Sequence, residues 1–175
     1  MNFKKLKNNK KGFTLIEFLL YISIISVVLL IAGGIALNIL LAKAKLGAID
    51  EVNQNTRVIV EKVLSSIRNA EVVNSPLQGA TSSSLSLQMA NSYQNPTVFD
   101  LSGSSVRVSE GGGPAVNLNS DSVFVSDLFF TNTSYTDTPG TITFQITSKY
   151  YNPNSQNEYN FEKTFYATAN IRKNQ

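Results

Sequence analysis

The chain has 175 residues, room for one domain besides a membrane segment. It contains no cysteine and no histidine, which excludes disulfides, thiol nucleophiles, Ser-His-Asp triads and zinc sites of the usual kind. Its +3 formal charge misleads: residues 1–12 hold five of the 15 cations and no acid, so the rest of the chain carries 10 cations against 12 acids, and no general affinity for nucleic acid or anionic membranes follows from the charge.

The first element is that lysine-rich tip, with Lys4, Lys5, Lys7, Lys10 and Lys11. After it come Gly12, Phe13, Thr14, Leu15, Ile16 and Glu17, then 25 uncharged residues from Phe18 to Ala42. At about 1.5 Å per residue such a helix crosses a ~30 Å hydrocarbon core. Lysine-rich flanks stay on the cytoplasmic side, so the tip is expected inside and everything after Ala42 outside. Two simpler readings compete. One is a plain anchor. The other is a secretory signal cut near Ala42-Lys43-Ala44, but such signals have apolar regions of only about 7–15 residues.

Glu17 is the costly residue. An acid inside a membrane segment is a functional hypothesis that needs a partner. No Lys or Arg lies within residues 13–42. Cleavage between Gly12 and Phe13 would create an amine four residues before Glu17, about 6 Å along a helix. Glu17 could then pair with its own amine or with that of a neighbouring copy.

The stretch KKGFTLIEFLLYISI resembles the class III signal sequence of type IV prepilins and of the pseudopilins of type II secretion and competence systems. The resemblance implies a leader of residues 1–12, cut by a membrane-embedded prepilin peptidase after Gly12. It implies N-methylation of Phe13, and a Glu17 that pairs with a neighbouring subunit's N-terminal amine. Lys10 and Lys11 would be the leader's charges. The implied partners are prepilin peptidase, other pilin or pseudopilin subunits, an inner-membrane assembly platform and membrane lipid. No cofactor and no specific nucleic acid is expected. Many pilins close a C-terminal loop with a disulfide, which this chain cannot do.

The apolar run, residues 13–42, continues as an amphipathic half-helix over 43–72. Leu46, Ile49, Val52, Thr56, Ile59, Val63, Ile67 and Ala70 recur at spacings of three and four. Asp50, Asn53, Arg57, Glu61, Ser65 and Arg68 mark the other face, with Arg57 and Glu61 at i,i+4. One helix over 13–72 is too long for the small domain that follows, so its first half must be buried in lipid or in other subunits. Gly33-Gly34 interrupts it. The pair is read either as a close-packing point in the bilayer or, since relatives carry a proline near here, as a place where the helix melts in fibres.

Asn74-Ser75-Pro76 and Gln78-Gly79 stop the helix. Residues 73–175 then read as antiparallel β-structure. The apolar runs are Leu85/Leu87/Met89, Val98/Phe99/Leu101, Val106/Val108, Val123/Val125/Leu128-Phe129-Phe130, Ile142/Phe144/Ile146 and Phe161/Phe165/Ala167/Ala169/Ile171. Gly111-Gly112-Gly113-Pro114 and Pro139-Gly140 mark turns. A sheet with one apolar face needs a cover, and the amphipathic half-helix supplies it. The predicted fold is α+β and pilin-like: a long N-terminal helix packed on a C-terminal antiparallel sheet. Looser similarity in Ile67–Ala70, Leu118–Val123 and Ala169–Asn174 resembles minor pilins and pseudopilins of the PilW/GspJ type. A major subunit and a membrane-anchored adhesin or DNA receptor are the alternatives.

Candidate chemistry in this part is sparse. Asn117, Asn119 and Asp121 place oxygens at i, i+2 and i+4, a spacing that calcium loops use, but without an EF-hand's glycine and terminal glutamate; a polar turn is the plainer reading. Asn132-Thr133-Ser134 fits a glycosylation sequon. Tyr93, Tyr150 and Tyr151 are candidates for an exposed recognition surface. No catalytic residue stands out, and a structural rather than enzymatic role is expected.

Overall fold

The computed structural model describes residues 12–136, 138 and 140–172. Lys10, Lys11, Pro139, and Lys173 and Asn174 of the C-terminal similarity lie outside these. The chain separates into two compact units with the division between Ala42 and Lys43. A single helix, α1 (Leu15–Asn69), contributes to both.

In the first unit α1 is apolar on every side. Its large side chains are exposed all round, from Leu15 to Leu41. It is long and apolar enough to cross a membrane. Its two serine hydroxyls in this unit are served within the helix: Ser23 donates to Leu19 O at 2.7 Å and Ser26 to Ile22 O at 2.8 Å. The helix runs unbroken through Gly33-Gly34, and a side chain at either glycine would meet nothing within 4 Å.

In the second unit the helix turns one face inward. Ala48, Val52, Thr56, Ile59, Val63 and Ile67 are buried, four or three residues apart. Leu46, expected on this face, is exposed, and burial begins at Ala48. The helix ends at Asn69, three residues before the expected position. The β-branched pair Val72-Val73 suits a strand better than a last helical turn, and Pro76 bars helix at the residue before it. Strand β1 (Ala70–Ser75) therefore follows directly. The backbone N–H of Arg172 donates to Arg68 O at 3.2 Å and satisfies one of the helix's terminal carbonyls. The Ile67–Ala70 and Ala169–Arg172 stretches thus meet.

The remaining strands are β2 (Thr81–Ser82), β3 (Leu85–Met89), β4 (Thr97–Ser102), β5 (Ser105–Glu110), β6 (Val116–Asn117), β7 (Val123–Asn132), β8 (Thr141–Tyr150) and β9 (Glu162–Asn170). They form two sheets rather than the single one expected. One is ordered β1-β3-β4-β5-β6 and the other β2-β7-β8-β9, and every pairing is antiparallel. Both sheets share one core with the helix. Ile59, Val63 and Ile67 join Leu85, Leu87 and Phe99 from the first sheet and Leu128, Phe130, Phe144 and Ile146 from the second. The rings of Phe130 and Phe144 lie 5.8 Å apart.

Two local devices set the sheet geometry. A bulge between Val125 and Asp127 reverses the alternation in β7, so Val123 and Val125 point inward before it and Leu128, Phe130 and Asn132 after it. Phe129 consequently faces out. Gly111 holds φ at +61°, and a side chain there would run into the Tyr93 carbonyl, so only glycine fits.

Candidate processing and assembly site

The N-terminal site is built by the start of α1. Thr14 precedes the first helical residue and acts as its N-cap: its hydroxyl oxygen accepts from the backbone N–H of Glu17 at 3.3 Å. Thr14 and Glu17 have the spacing of a capping box. Here the Thr14 hydroxyl also donates to Glu17 Oε2 at 3.4 Å. Glu17 therefore sits three residues past the cap, where the positive end of the helix dipole favours a carboxylate by about 0.3–1 kcal/mol.

Gly12 and Phe13 precede the helix and are exposed, with nothing within 4 Å of a side chain built at Gly12. The Phe13 ring lies 5.5 Å from the Tyr21 ring. Glu17 and Tyr21, four residues apart, share one helical face, and Phe13 lies just ahead of the helix with its ring against Tyr21. Glu17 is exposed, and among the described residues it forms no ion pair. One weak hydroxyl contact leaves most of the carboxylate's accepting capacity free for a cation. Sequence reasoning named Gly12, Phe13 and Glu17 but gave Thr14 and Tyr21 no task. The Thr-x-x-Glu spacing was the available signal for Thr14.

The other candidates have different tasks. Asn119 is buried, and its Oδ1 accepts from Val106 N–H at 2.8 Å while its Nδ2 donates to Val123 O at 2.7 Å. Asn117 and Asp121 are exposed. In the weak calcium candidate Asn117, Asn119 and Asp121, the middle residue is thus a strand-to-loop brace. The helix braces the same loop, since Asn55 Oδ1 accepts from Ser120 N–H at 2.8 Å. Asn132 is also buried. Its Nδ2, the atom a glycan would need, donates to Pro76 O at 2.9 Å. Tyr93 is fully outside, at 88 % exposure, and Tyr150 and Tyr151 line a cleft. Among the described residues no group of three or more Asp and Glu side chains gathers in a way that could hold a metal ion.

Arg107 is held in a two-point pair on the first sheet. It faces Asp100 across the β4–β5 pair with both guanidinium contacts made, Nε to Oδ1 at 2.9 Å and Nη2 to Oδ2 at 2.6 Å. The hydrogen bond to Asp100 raises the Arg107 pKa, so the group stays charged at every physiological pH.

Comparison with known proteins finds one family match. A family model described as the prokaryotic N-terminal methylation motif matches residues 7–33, which include Gly12, Phe13, Thr14 and Glu17. The match supports a type IV pilin-type precursor that is processed at its N-terminus and anchored in a membrane. No curated protein and no solved structure matches the chain.

Proposed function

We propose that the chain is a structural subunit of a type IV pilus-like or type II secretion-like filament, in the role of a minor pilin or pseudopilin. Prepilin peptidase removes residues 1–12 and methylates the new amine of Phe13. The subunit then waits in the cytoplasmic membrane with its N-terminus inside and its β-domain outside, and enters the filament through its apolar half-helix.

The observation that carries this reading is the methylation-motif match over residues 7–33, within which the Gly12–Phe13 bond lies just ahead of a capped helix. The physical argument follows from Glu17. Cleavage puts an ammonium at the positive end of the helix dipole, which is unfavourable for that helix. Within one chain, the carboxylate at Glu17 offsets this. Between chains, a lipid-embedded carboxylate and a lipid-embedded ammonium on neighbouring subunits each remove the other's desolvation penalty. Apolar helix packing would supply most of the association and the charge pair would fix the register. The minor role rests on the looser similarities at Ile67–Ala70, Leu118–Val123 and Ala169–Asn174.

N-terminal mass spectrometry of the membrane-extracted protein tests the processing step. A chain that begins at N-methylated Phe13 is expected; an intact Met1, or a start near Ala44, defeats the proposal. Assembly is tested with Glu17→Ala. The variant is expected to be stable in the membrane and to enter filaments at least about tenfold less than the wild type, in line with one lost charge pair. Equal incorporation would remove Glu17 from the mechanism. Stoichiometry in purified filaments separates a minor from a major subunit.

A further inference from the structure

The β8–β9 connection builds a second site, unrelated to the N-terminal one. Residues 151–161 fold back over the end of the second sheet and enclose a cleft of about 440 Å³. That lies within the range of about 300–1,000 Å³ usual for small-ligand pockets. Its walls are aromatic. Tyr150 and Tyr159 stack at 5.5 Å and 19°, and Phe124 lies 4.6 Å from Tyr151. Tyr151 is 46 % exposed, so part of this surface faces solvent.

The lip of the cleft is held in shape. The Asn152 side chain brackets the turn: its Nδ2 donates to Gln156 O at 2.7 Å and its Oδ1 accepts from Gln156 N–H at 3.0 Å. Ser155, inside that bracket, has φ of +52°. A non-glycine residue in the left-handed region is unfavourable, and such strain persists where surrounding contacts impose it. The root of the loop is pinned as well, because Tyr150 N–H donates to Phe161 O and Tyr151 N–H to Ser122 O. Binding here would therefore demand little ordering of the loop.

The polar groups narrow the ligand class. Lys149 and Glu162 line the cleft and lie opposite each other in register. Neither forms an ion pair among the described residues. One ammonium, one carboxylate and the Asn152 and Asn160 amides offer donors and acceptors in similar number. A polyanion is disfavoured by the carboxylate, and a purely apolar ligand by the polar rim. A sugar ring has an apolar C–H face for an aromatic wall and an equatorial belt of hydroxyls for mixed donors and acceptors.

We propose that this cleft binds a carbohydrate, with Tyr151 as the stacking wall and Lys149, Asn152 and Glu162 contacting the sugar hydroxyls. The proposal does not depend on filament assembly and holds equally for a subunit that never polymerises.

The test uses the full chain in a detergent without a sugar headgroup, applied to a glycan array. The methyl glycoside of a sugar that binds is then titrated and followed by tyrosine emission, which no tryptophan obscures. Tyr151→Ala is expected to weaken binding about tenfold. Glu162→Gln, which leaves the aromatic wall intact, is expected to weaken it about threefold or more. Tyr93→Ala, an exposed tyrosine outside the cleft, should change nothing. A blank array overturns the proposal. So does binding that Tyr151→Ala and Glu162→Gln both leave unchanged, or binding that Tyr93→Ala abolishes.

Discussion

The two parts of α1 share a backbone and differ in where their apolar groups go. Between Leu15 and Leu41 the large side chains stand exposed on every side, Leu30 at 77 %. Between Val52 and Ile67 the inward side chains Val52, Ile59, Val63 and Ile67 are all 0 % exposed. A one-sided helix is satisfied by its own domain. A helix apolar all round is satisfied only by something the chain does not contain, namely lipid or other helices. The same secondary structure thus reports two solvents, and mutations should read them differently.

The largest contrast lies in the packing itself. Phe130 is fully buried against Phe144 and the rest of the core. Phe130→Ala is expected to destabilise the β-domain by about 3–5 kcal/mol, through lost burial and an uncollapsed cavity. Leu29→Ala removes a side chain that is 66 % exposed. It should leave the same unfolding transition within about 0.5 kcal/mol. Urea denaturation of the detergent-solubilised chain, followed by near-ultraviolet circular dichroism, measures both. Comparable losses from the two variants would mean that the apolar stretch is part of the β-domain's folding unit, and the division at Ala42 would fail.

Hydroxyls sharpen the contrast with a change of sign. Ser23 and Ser26 in the apolar stretch bond the carbonyl four residues back. Thr56, fully buried on the domain-facing side, has no partner for its Oγ1 among the described residues, and neither does the buried Ser148. An unpaired buried hydroxyl destabilises by about 1–3 kcal/mol. Valine has nearly the shape of threonine and a similar helix propensity. Thr56→Val is therefore expected to stabilise the β-domain by about 1 kcal/mol, seen as a higher urea midpoint at unchanged slope. A lower midpoint would show that an ordered water serves the hydroxyl.

Much of this was legible in the residues, for definite reasons. The N-terminal motif, whose match spans residues 7–33, was plain because it is local: basic tip, Gly12, Phe13 and Glu17 follow one another, and a carboxylate before a long apolar run is rare enough to demand a reason. The inward stripe from Val52 to Ile67 and the alternation in β3, β5 and β8 were plain because period 3.6 and period 2 are direct consequences of geometry. The second sheet was not legible. Whether β3 and β7 share a sheet depends on long-range pairing, and the two-residue β2 that crosses to β7 leaves no periodic signal. The bulge at Ser126 hid the true inward set of β7, so Phe129 looked as good a core residue as Phe130. Asn119 read as part of a polar turn and Asn132 as a chance sequon, with ligand and sugar sites only weak candidates, and their bracing roles stayed hidden because a polar side chain reads the same whether it points outward or braces the backbone. The aromatic cleft was half visible: Tyr150-Tyr151 stood out, but the loop that brings Tyr159 back to stack on Tyr150 did not.

The smallest predicted effect concerns the outward face of the second half-helix. Arg57 and Glu61 do form the i,i+4 pair expected from their spacing, at 2.9 Å, with side chains 79 % and 65 % exposed. Water screens such a pair, and two long side chains lose freedom to make it, so a double-mutant cycle should give a coupling of about 0.3–0.5 kcal/mol. In 1 M salt, where the Debye length is about 3 Å, the coupling should vanish. Lys62–Glu110 is the internal control. It joins the helix to β5 at 2.7 Å with side chains only 39 % and 33 % exposed, so its coupling should exceed that of Arg57–Glu61 and outlast the salt. If the two pairs couple equally and fade together, then charge on this helix is indifferent to which way it faces. The distinction between an inward and an outward side of the second half-helix would then rest on its apolar residues alone.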